Sequence, residues 1–203
     1  MMKHNSIRLK ECQIFKGFLD KGAQDSLLND IRLIVSSAPL FSPLTPWGKR
    51  MSVKITSAGK YGWYSDSNGY RYASKHPCGV DWPEIPKSVR TIWHDLCPES
   101  PDPECCLVNF YTKAAKMGLH QDRDEKNFKH PVLSISLGDD ALFRMGGIKK
   151  SDSTESIWLS SGDVLVMAGA SRLAYHGIDR IRFGSSQLLK SGGRINLTLR
   201  VVD

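Results

Sequence analysis

Apolar and polar residues alternate in short runs over the second half of the chain, and turn residues such as Gly192-Gly193 separate the runs. Alternation with a period of two is typical of strands that bury one face. Many short strands without helices between them are typical of a barrel or sandwich. The pattern predicts strands at Cys106–Tyr111, Val132–Leu137, Ala141–Met145, Ser156–Leu159, Val164–Met167 and Arg194–Val202. We therefore expect a mainly β protein with a jelly-roll core.

The first hundred residues follow a different pattern. Apolar residues recur at helical spacing within Gly22 to Ser37 and again after Pro86, which predicts two amphipathic helices. An aromatic-rich segment runs from Trp63 to Tyr72 between them. We interpret residues 1–104 as buttressing helices and a lid, and residues 105–203 as the core, so that residues 1–203 form a single domain.

Composition and charge narrow the class of protein. No run approaches the roughly 18 apolar residues that span a bilayer. The five cysteines lack metal-binding spacing and are expected to be buried and reduced, and residues 1–6 lack the apolar core of a secretory signal. We therefore expect a cytoplasmic protein without membrane contact. No oligomerisation surface stands out, which favours a monomer.

The formal net charge of +7 points to a partner. Basic residues gather around Lys49-Arg50 and again between Arg123 and Lys150. A small basic domain often binds a polyanion, because each neutralised phosphate releases a counterion. Charge alone also fits an ordinary solvated surface. The clusters flank the candidate chemistry, however, and this favours a nucleic acid.

A histidine and a carboxylate stand two residues apart at His120 and Asp122. In an extended segment, side chains two residues apart point to the same side. A second histidine, His176, follows a further strand-like run. Two histidines and one carboxylate form the facial triad of non-haem Fe(II) oxygenases, which leaves metal positions for a 2-oxoacid and dioxygen. Such residues also occur by chance on exposed surfaces. Whether these three form a metal site must therefore be judged from the residues that would bind the 2-oxoacid.

The last predicted strand alternates strictly. Its apolar face carries Ile195, Leu197 and Leu199, and its other face carries the polar residues Arg194, Asn196, Thr198 and Arg200. A half-exposed strand with its polar face in water would explain this pattern. The alternative is a polar face inside the barrel, where each arginine must meet an anion. A dicarboxylate held by guanidinium forks would supply that anion.

Five short motifs follow one another between about Met51 and Arg200. They are Asn-x-Tyr (Asn109, Tyr111), His-Gln-Asp-Arg-Asp-Glu (His120 to Glu125), Ser-Ile-Ser-Leu-Gly (Ser134 to Gly138), Ser-Arg-Leu-Ala-Tyr-His-Gly (Ser171 to Gly177) and Arg-x-Asn-x-Thr-x-Arg (Arg194 to Arg200). Each motif is modest alone, but their order and spacing together are specific. This combination resembles the AlkB family of 2-oxoglutarate-dependent nucleic-acid dealkylases, and particularly its bacterial members.

The resemblance implies a double-stranded β-helix core, preceded by a nucleotide-recognition lid. It implies that Fe(II) is held at the catalytic centre by His120, Asp122 and His176. Arg200 is expected to pair with the distal carboxylate of 2-oxoglutarate, and Arg194 to lie beside its metal-binding end. The remaining residues that would seat 2-oxoglutarate are Asn109, Tyr111 and Asn196.

The resemblance also implies the substrate: alkylated DNA, and RNA as an extension, with bases of the 1-methyladenine and 3-methylcytosine type. Dioxygen and 2-oxoglutarate would be consumed, and succinate, carbon dioxide and formaldehyde released. Bacterial members carry an arginine where this chain has Lys149-Lys150. A lysine keeps the charge but loses the planar fork. The residues expected around the flipped base are Met51, Trp63, Tyr70, Asp124 and Lys150.

Two other functions remain open from the residues alone. The same core would suit a 2-oxoglutarate-dependent hydroxylase of a protein or a small molecule. A barrel that binds nucleic acid without catalysis would also be basic and rich in exposed aromatics. Metal content and succinate release separate these classes, because a pure binder would show neither.

Overall fold

Two antiparallel sheets face one another, and the alternation of the sequence decides which side chains fill the space between them. The computed structural model describes residues 6–203, so most of the segment inspected above for a secretory signal lies outside the described residues. The strands are β1 (Ser6–Leu9), β2 (Cys12–Phe15), β3 (Lys54–Gly59), β4 (Gly62–Asp66), β5 (Gly69–Ala73), β6 (Cys105–Tyr111), β7 (Met117–His120), β8 (Val132–Gly138), β9 (Asp140–Met145), β10 (Glu155–Leu159), β11 (Val164–Met167), β12 (His176–Arg182) and β13 (Arg194–Arg200).

The major sheet has the strand order β1-β2-β11-β8-β13-β6-β3, and the minor sheet has the order β10-β9-β12-β7. Strands β4 and β5 form a separate hairpin. Two helices flank the sheets, α1 (Lys21–Ser37) and α2 (Lys87–Leu96). The predicted mainly β architecture with two helices is confirmed. Within residues 6–203, no helix has the length and apolar character needed to cross a membrane.

Strand β13 lies at the centre of the major sheet, between β8 and β6. Its apolar residues Ile195, Leu197 and Leu199 join a hydrophobic cluster with both helices. The alternate residues therefore face the minor sheet. All seven residues of the strand are buried, which excludes the half-exposed strand considered above. The polar face of β13 lies inside the protein.

The helices cover the outer face of the major sheet. Asp20 caps α1 by accepting a hydrogen bond from the Ala23 amide at 2.8 Å, which satisfies one of the amides left free at a helix start. The helix buries Leu27, Leu28, Ile31 and Ile34, and α2 buries Val89, Ile92 and Trp93. Apolar burial of this kind contributes about 25 cal/mol per Å² to folding. The helices thus keep β13 fixed from behind.

The five strands of the first hundred residues, β1 to β5, were not predicted. Strands β1 and β2 extend one edge of the major sheet, and β3 forms the other edge. The first two are only four residues long and meet at a tight turn, where Lys10 has a φ of 51°. Strand β3 contains the small residues Thr56, Ser57 and Ala58, whose alternation is too weak to recognise.

The expectation that all five cysteines are buried is wrong for one of them. Cys78 is exposed, whereas the other four are buried, and all five are free thiols. Cys78 lies in a turn closed by the hydrogen bond from the Gly79 amide to the His76 carbonyl. Turns lie at the surface because their backbone groups need water, and the local sequence gave no sign of this exposure.

Candidate active site

Two antiparallel strands bring the predicted metal ligands together. In the pairing of β12 with β7, His176 lies directly opposite His120, and their ring centroids are 4.5 Å apart. Asp122 follows β7 by two residues and reaches both rings. Its carboxylate oxygens lie 3.6 Å from His120 Nε2 and 3.8 Å from His176 Nε2. The three side chains offer ligand atoms within 4.8 Å of one another, close enough for one metal ion.

Backbone carbonyls orient both histidines. His120 Nδ1 lies 2.9 Å from the Gly118 carbonyl oxygen, and His176 Nδ1 lies 3.0 Å from that of Ala174. Each Nδ1 therefore carries the proton and donates, which leaves the lone pair of Nε2 free for a metal. Burial, and after it the neighbouring His120, lowers the pKa of His176 to about 4. His176 is consequently neutral at physiological pH, as a ligand must be.

Gly177 permits the close approach of β7 to β12. A Cβ atom at this position would lie 2.6 Å from the Met117 carbonyl oxygen and 2.8 Å from that of Gly118. Real Cβ atoms do not come so near to a backbone oxygen. Any side chain here would therefore separate the two strands that carry His120 and His176. The glycine after the second histidine is part of what assembles the triad.

Asp122 is held ionised by positive charge. Its side chain is only 7% exposed. Burial alone would raise the pKa of this carboxyl, but the charge of Arg200, followed by His176 and His120, holds it well below the ordinary value. Arg200 Nη2 lies 2.8 Å from Asp122 Oδ2. Asp122 is thus an anion in its buried site, as metal binding requires.

The position of Arg200 corrects an expectation. Its contact with Asp122 places Arg200 at the metal end of the site, whereas the distal carboxylate of a metal-chelating 2-oxoacid must lie away from the metal. Arg194 is at the other end of β13, about 20 Å away along the strand at roughly 3.3 Å per residue. The contact of Arg200 with Asp122 is therefore inconsistent with the expected order of the two arginines.

Arg194 has unused hydrogen-bond donors. The residue is 1% exposed, and its Nη2 donates to Ser136 Oγ at 2.9 Å. Its Nε and Nη1 are buried without a partner in the described structure. Burial lowers the pKa of Arg194 to about 10, so the guanidinium stays charged at neutral pH. A buried cation with two unpartnered nitrogen donors is costly unless an anion completes it, and a carboxylate fits this fork.

The other predicted cosubstrate residues lie beside Arg194 and Arg200. Asn196 and Asn109 are register partners on β13 and β6, and Arg194 is paired with Tyr111. The side chain of Asn196 is fixed by donation to Ser134 Oγ at 2.7 Å, whereas the Oδ1 of Asn109 is buried without a partner. One strip of polar side chains therefore runs along both strands between the two arginines.

A single cavity of about 920 Å³ contains the triad and this strip. It also reaches the five residues expected around the base. Met51, Trp63, Tyr70, Asp124 and Lys150 all line it. The structure thus brings together every residue that the sequence singled out. The inner part of the cavity is buried, and its outer part opens at the hairpin β4–β5.

The hairpin carries two stacked aromatic rings at this opening. The rings of Trp63 and Tyr70 have centroids 5.5 Å apart and an interplanar angle of 19°. Trp63 Nε1 donates to Asp124 Oδ2 at 2.8 Å, so the carboxylate is fixed while its other oxygen stays available. Tyr70 is 45% exposed. An aromatic face and an oriented carboxylate suit a flat cationic ligand.

A sequence model of the 2OG-Fe(II) oxygenase superfamily matches residues 11–200. The chain belongs to this superfamily. It is 50% identical over 189 residues to an alpha-ketoglutarate-dependent dioxygenase AlkB homolog of Caulobacter vibrioides, covering 92% of this chain and 86% of the relative. With AlkB of Escherichia coli it shares 39% identity over 187 residues, covering 88% and 84%. The solved structure of OsALKBH1 has a TM-score of 0.83 and 32% identity, over 97% of this chain and 99% of that one.

The protein is therefore an AlkB-type dioxygenase that depends on Fe(II) and 2-oxoglutarate. The predicted family, jelly-roll fold, enzyme class and cofactors are confirmed. The residues present fit these groups. Two imidazoles with free Nε2 atoms and an ionised carboxylate suit Fe(II), and the unpaired N–H groups of Arg194 suit a carboxylate.

Sequence reasoning missed a second group of residues in this dioxygenase. Tyr72, Glu125 and Arg172 form a network behind Asp122. Two of them stand inside motifs quoted above, but their local sequence gives them no chemical role. Only the tertiary structure shows that Arg172, 50 positions from Asp122, donates to the carbonyl oxygen of Asp122 at 2.6 Å.

The close approach at Gly177 generates a prediction about metal binding. Gly177→Ala is expected to weaken Fe(II) or Mn(II) binding by about 10-fold or more, a loss typical when ligand orientation is disturbed. Isothermal titration calorimetry with Mn(II) measures the effect. Gly146→Ala is the matched control, since a Cβ there would lie 3.5 Å from Thr154 Cγ2, an ordinary contact. Equal Mn(II) affinity in both variants would contradict the role given to Gly177.

Proposed function

We propose that this dioxygenase oxidatively removes alkyl groups from nucleic-acid bases of the 1-methyladenine and 3-methylcytosine type, in DNA and also in RNA. One observation carries the proposal. The cavity that holds the triad opens through a mouth that combines stacked aromatic rings with exposed basic side chains. These basic residues are Lys49, Arg50, Lys116, Arg123 and Lys150.

The charge of this mouth is not neutralised within the protein. Among residues 6–203, none of these five side chains takes part in an ion pair, whereas Lys60 and Lys126 elsewhere on the surface do. Unpaired cations around an opening attract a polyanion and follow its phosphates. A small neutral metabolite or a generic peptide would not require them. The mouth therefore favours a nucleic-acid strand over the substrates of other hydroxylases.

We assign the inner residues as follows. His120, Asp122 and His176 hold Fe(II) and form the catalytic centre. Arg194 pairs with the distal carboxylate of 2-oxoglutarate through its unused N–H groups, and Arg200 lies at the metal end. The residues that complete the cosubstrate site are Asn109, Tyr111 and Asn196.

We assign the outer residues to the base. Bases alkylated at these ring nitrogens carry a positive charge, which aromatic faces and a carboxylate both stabilise. Trp63 and Tyr70 supply the rings, and Asp124 accepts from the exocyclic amine with the oxygen that Trp63 does not use. Met51 and Lys150 border the same opening. A base must leave its helix to reach this depth, which is easiest for a damaged or unpaired nucleotide.

Bound Fe(II), with 2-oxoglutarate and dioxygen, supplies the oxidation of the alkyl C–H bond while 2-oxoglutarate becomes succinate and carbon dioxide. The protein's own residues bind and orient. Asp124 and the aromatic pair direct the alkyl group toward the triad, and Arg194 and Arg200 hold the cosubstrate by both ends. The hydroxylated N-methyl group then leaves as formaldehyde, and the unmodified base remains.

We further propose that residues 1–203 form one catalytic domain, in which residues 1–104 supply buttress and lid and residues 105–203 supply most of the core. Strands β2 and β3 support this view, because they share the major sheet with later strands. We propose a monomer in the cytoplasm. Five free thiols support a reducing compartment.

The direct test loads the protein anaerobically with Fe(II) and adds 2-oxoglutarate, air and an oligonucleotide containing 1-methyladenine or 3-methylcytosine. Mass spectrometry follows loss of the methyl group. Demethylation that requires both iron and 2-oxoglutarate supports the proposal. Succinate formation without demethylation of either base, in DNA or RNA, would refute the substrate assignment and leave the oxygenase.

Arg194→Lys tests the cosubstrate site. The charge remains, but the fork that meets a carboxylate is lost. We expect 2-oxoglutarate to bind roughly 10-fold more weakly to the Mn(II)-loaded protein, a loss of about 1.4 kcal/mol, as measured by calorimetry. Arg182→Lys is the control, because Arg182 is 55% exposed and pairs with Asp140 on the surface. Unchanged affinity in Arg194→Lys would remove Arg194 from the site.

Trp63→Ala tests the base pocket. We expect a higher KM for the alkylated oligonucleotide, by about 10-fold, because stacking on an aromatic ring contributes about 1–3 kcal/mol per base. Decarboxylation without substrate should persist. Trp63→Phe keeps a ring but loses the donor to Asp124, and it should lie between wild type and Trp63→Ala. Unchanged oligonucleotide kinetics in both variants would make Trp63 a packing residue.

A further inference from the structure

A buried ionic network lies directly behind the metal site and adds Glu125 and Arg172 to the residues assigned above. Glu125 is its centre, with a side chain only 1% exposed. Its Oε2 accepts from Arg172 Nη2 at 2.9 Å, and its Oε1 lies 3.3 Å from Arg200 Nε. Arg200 also contacts Asp122. Two negative carboxylates and two positive guanidinium groups thus neutralise one another. Either the carboxylates or the guanidinium groups alone would be strongly unfavourable in this buried position.

The network restricts the guanidinium of Arg200. Its Nη2 and Nε lie 2.8 and 3.3 Å from Asp122 Oδ2, and its Nε also lies 3.3 Å from Glu125 Oε1, so two carboxylates hold the group. Arg172 in turn braces Glu125 and donates to the carbonyl oxygens of Asp122 and His130, at 2.6 and 2.9 Å. Arg200 can meet the cosubstrate in one orientation only while Glu125 stays in place.

A third side chain connects this network to the hairpin β4–β5. The Tyr72 hydroxyl donates to Glu125 Oε1 at 2.5 Å, and Arg200 Nη1 lies 3.4 Å from the same hydroxyl oxygen. Tyr72 is the register partner of Trp63, and directly opposed residues point to the same face of a sheet. The face that presents Trp63 to the cavity therefore also sends Tyr72 to Glu125.

The hairpin is consequently fastened at two successive acidic residues. Trp63 donates to Asp124 in the outer part of the cavity, and Tyr72 donates to Glu125 in the ionic network behind the metal site. Substrate entry has to disturb the outer contact, since Asp124 and Trp63 border the opening. The inner contact is shielded and sets how far the hairpin stands from the metal ligands.

We propose that Tyr72 and Glu125 are positioning residues, which fix Arg200 toward 2-oxoglutarate and hold the base-binding hairpin at a set distance from the triad. The first part rests on the cofactor dependence of the superfamily. The second part rests on the proposed function, because it concerns the coupling of 2-oxoglutarate consumption to demethylation. Removing the Tyr72 hydroxyl eliminates its contacts with Glu125 and with Arg200. It removes no group assigned to metal, cosubstrate or base.

Tyr72→Phe is the sharpest test, since it deletes one hydroxyl. Calorimetry on the Mn(II)-loaded protein should show about 10-fold weaker 2-oxoglutarate binding, as when a residue that orients a ligating group is lost. The moles of succinate formed per mole of formaldehyde should also rise. Tyr61→Phe is the matched control, because the Tyr61 hydroxyl bonds to Asp203 at the exposed surface. It should match wild type in both measurements.

A merely structural role for Tyr72 would lower the melting temperature and leave the affinity and the product ratio at the wild-type values. That result, or identical behaviour of Tyr72→Phe and Tyr61→Phe, would overturn the proposal. Glu125→Gln gives an independent check, because it preserves size but removes the charge that holds Arg200. Its 2-oxoglutarate affinity should fall further than that of Tyr72→Phe, and wild-type affinity would also overturn the proposal.

The two parts of the test separate this inference from the proposed function. The calorimetry contains no nucleic acid, so it decides the role of Tyr72 and Glu125 toward Arg200 on its own. A wild-type enzyme that forms succinate but no formaldehyde would refute the substrate assignment alone. Weaker 2-oxoglutarate binding without a change in the product ratio would overturn the hairpin part of the proposal.

Discussion

The contact between Asp122 and Arg200 is the constraint on which the site depends, because it joins the metal ligands to the central strand of the major sheet. Both side chains are 7% exposed, and an isolated charge at that depth would cost several kcal/mol. Their mutual attraction, with Glu125 and Arg172 beside them, keeps the charges in the interior. The carboxylate that binds metal is thus ionised before any metal arrives.

Strand β13 shows how the fold accommodates so much buried polarity. Its odd-numbered side chains pack against both helices and supply cohesion, while its even-numbered side chains face the cavity. The period of two along a strand separates the two tasks without any residue serving both. Arg194 is the exception on this strand, because its Nε and Nη1 donate no hydrogen bond within residues 6–203. Within residues 6–203, three of the four buried side-chain atoms without a partner belong to Asn109 and Arg194, in the proposed cosubstrate site.

A period of two was enough to predict that His120 and Asp122 share one side and that β13 has one polar face. The addition of His176 and the interior position of that polar face came from the family resemblance. Spacing could not predict which end of β13 lies beside the metal ligands. Arg194 and Arg200 occupy the same face in the sequence, and only the pairing of β7 with β12 shows which end meets the metal. Arg172 and Tyr72 were missed for the same reason, since their partners are remote in the chain. Cys78 was misjudged because a turn, rather than composition, exposes it.

The inner and outer halves of the cavity differ in how tightly the fold specifies them. Asp122 and Arg200 in the inner half are buried and held by charged partners, so their replacement disturbs stability as well as chemistry. The cations of the mouth are exposed and form no ion pair within residues 6–203, and exchange among them, such as lysine for arginine at position 150, costs the fold little. Substrate preference can therefore change at the mouth while the oxidation stays the same. The hairpin β4–β5 connects the mouth to the network behind the metal site, since Trp63 borders the mouth and Tyr72 donates to Glu125. A change of substrate would therefore affect the reaction first through the geometry of this hairpin.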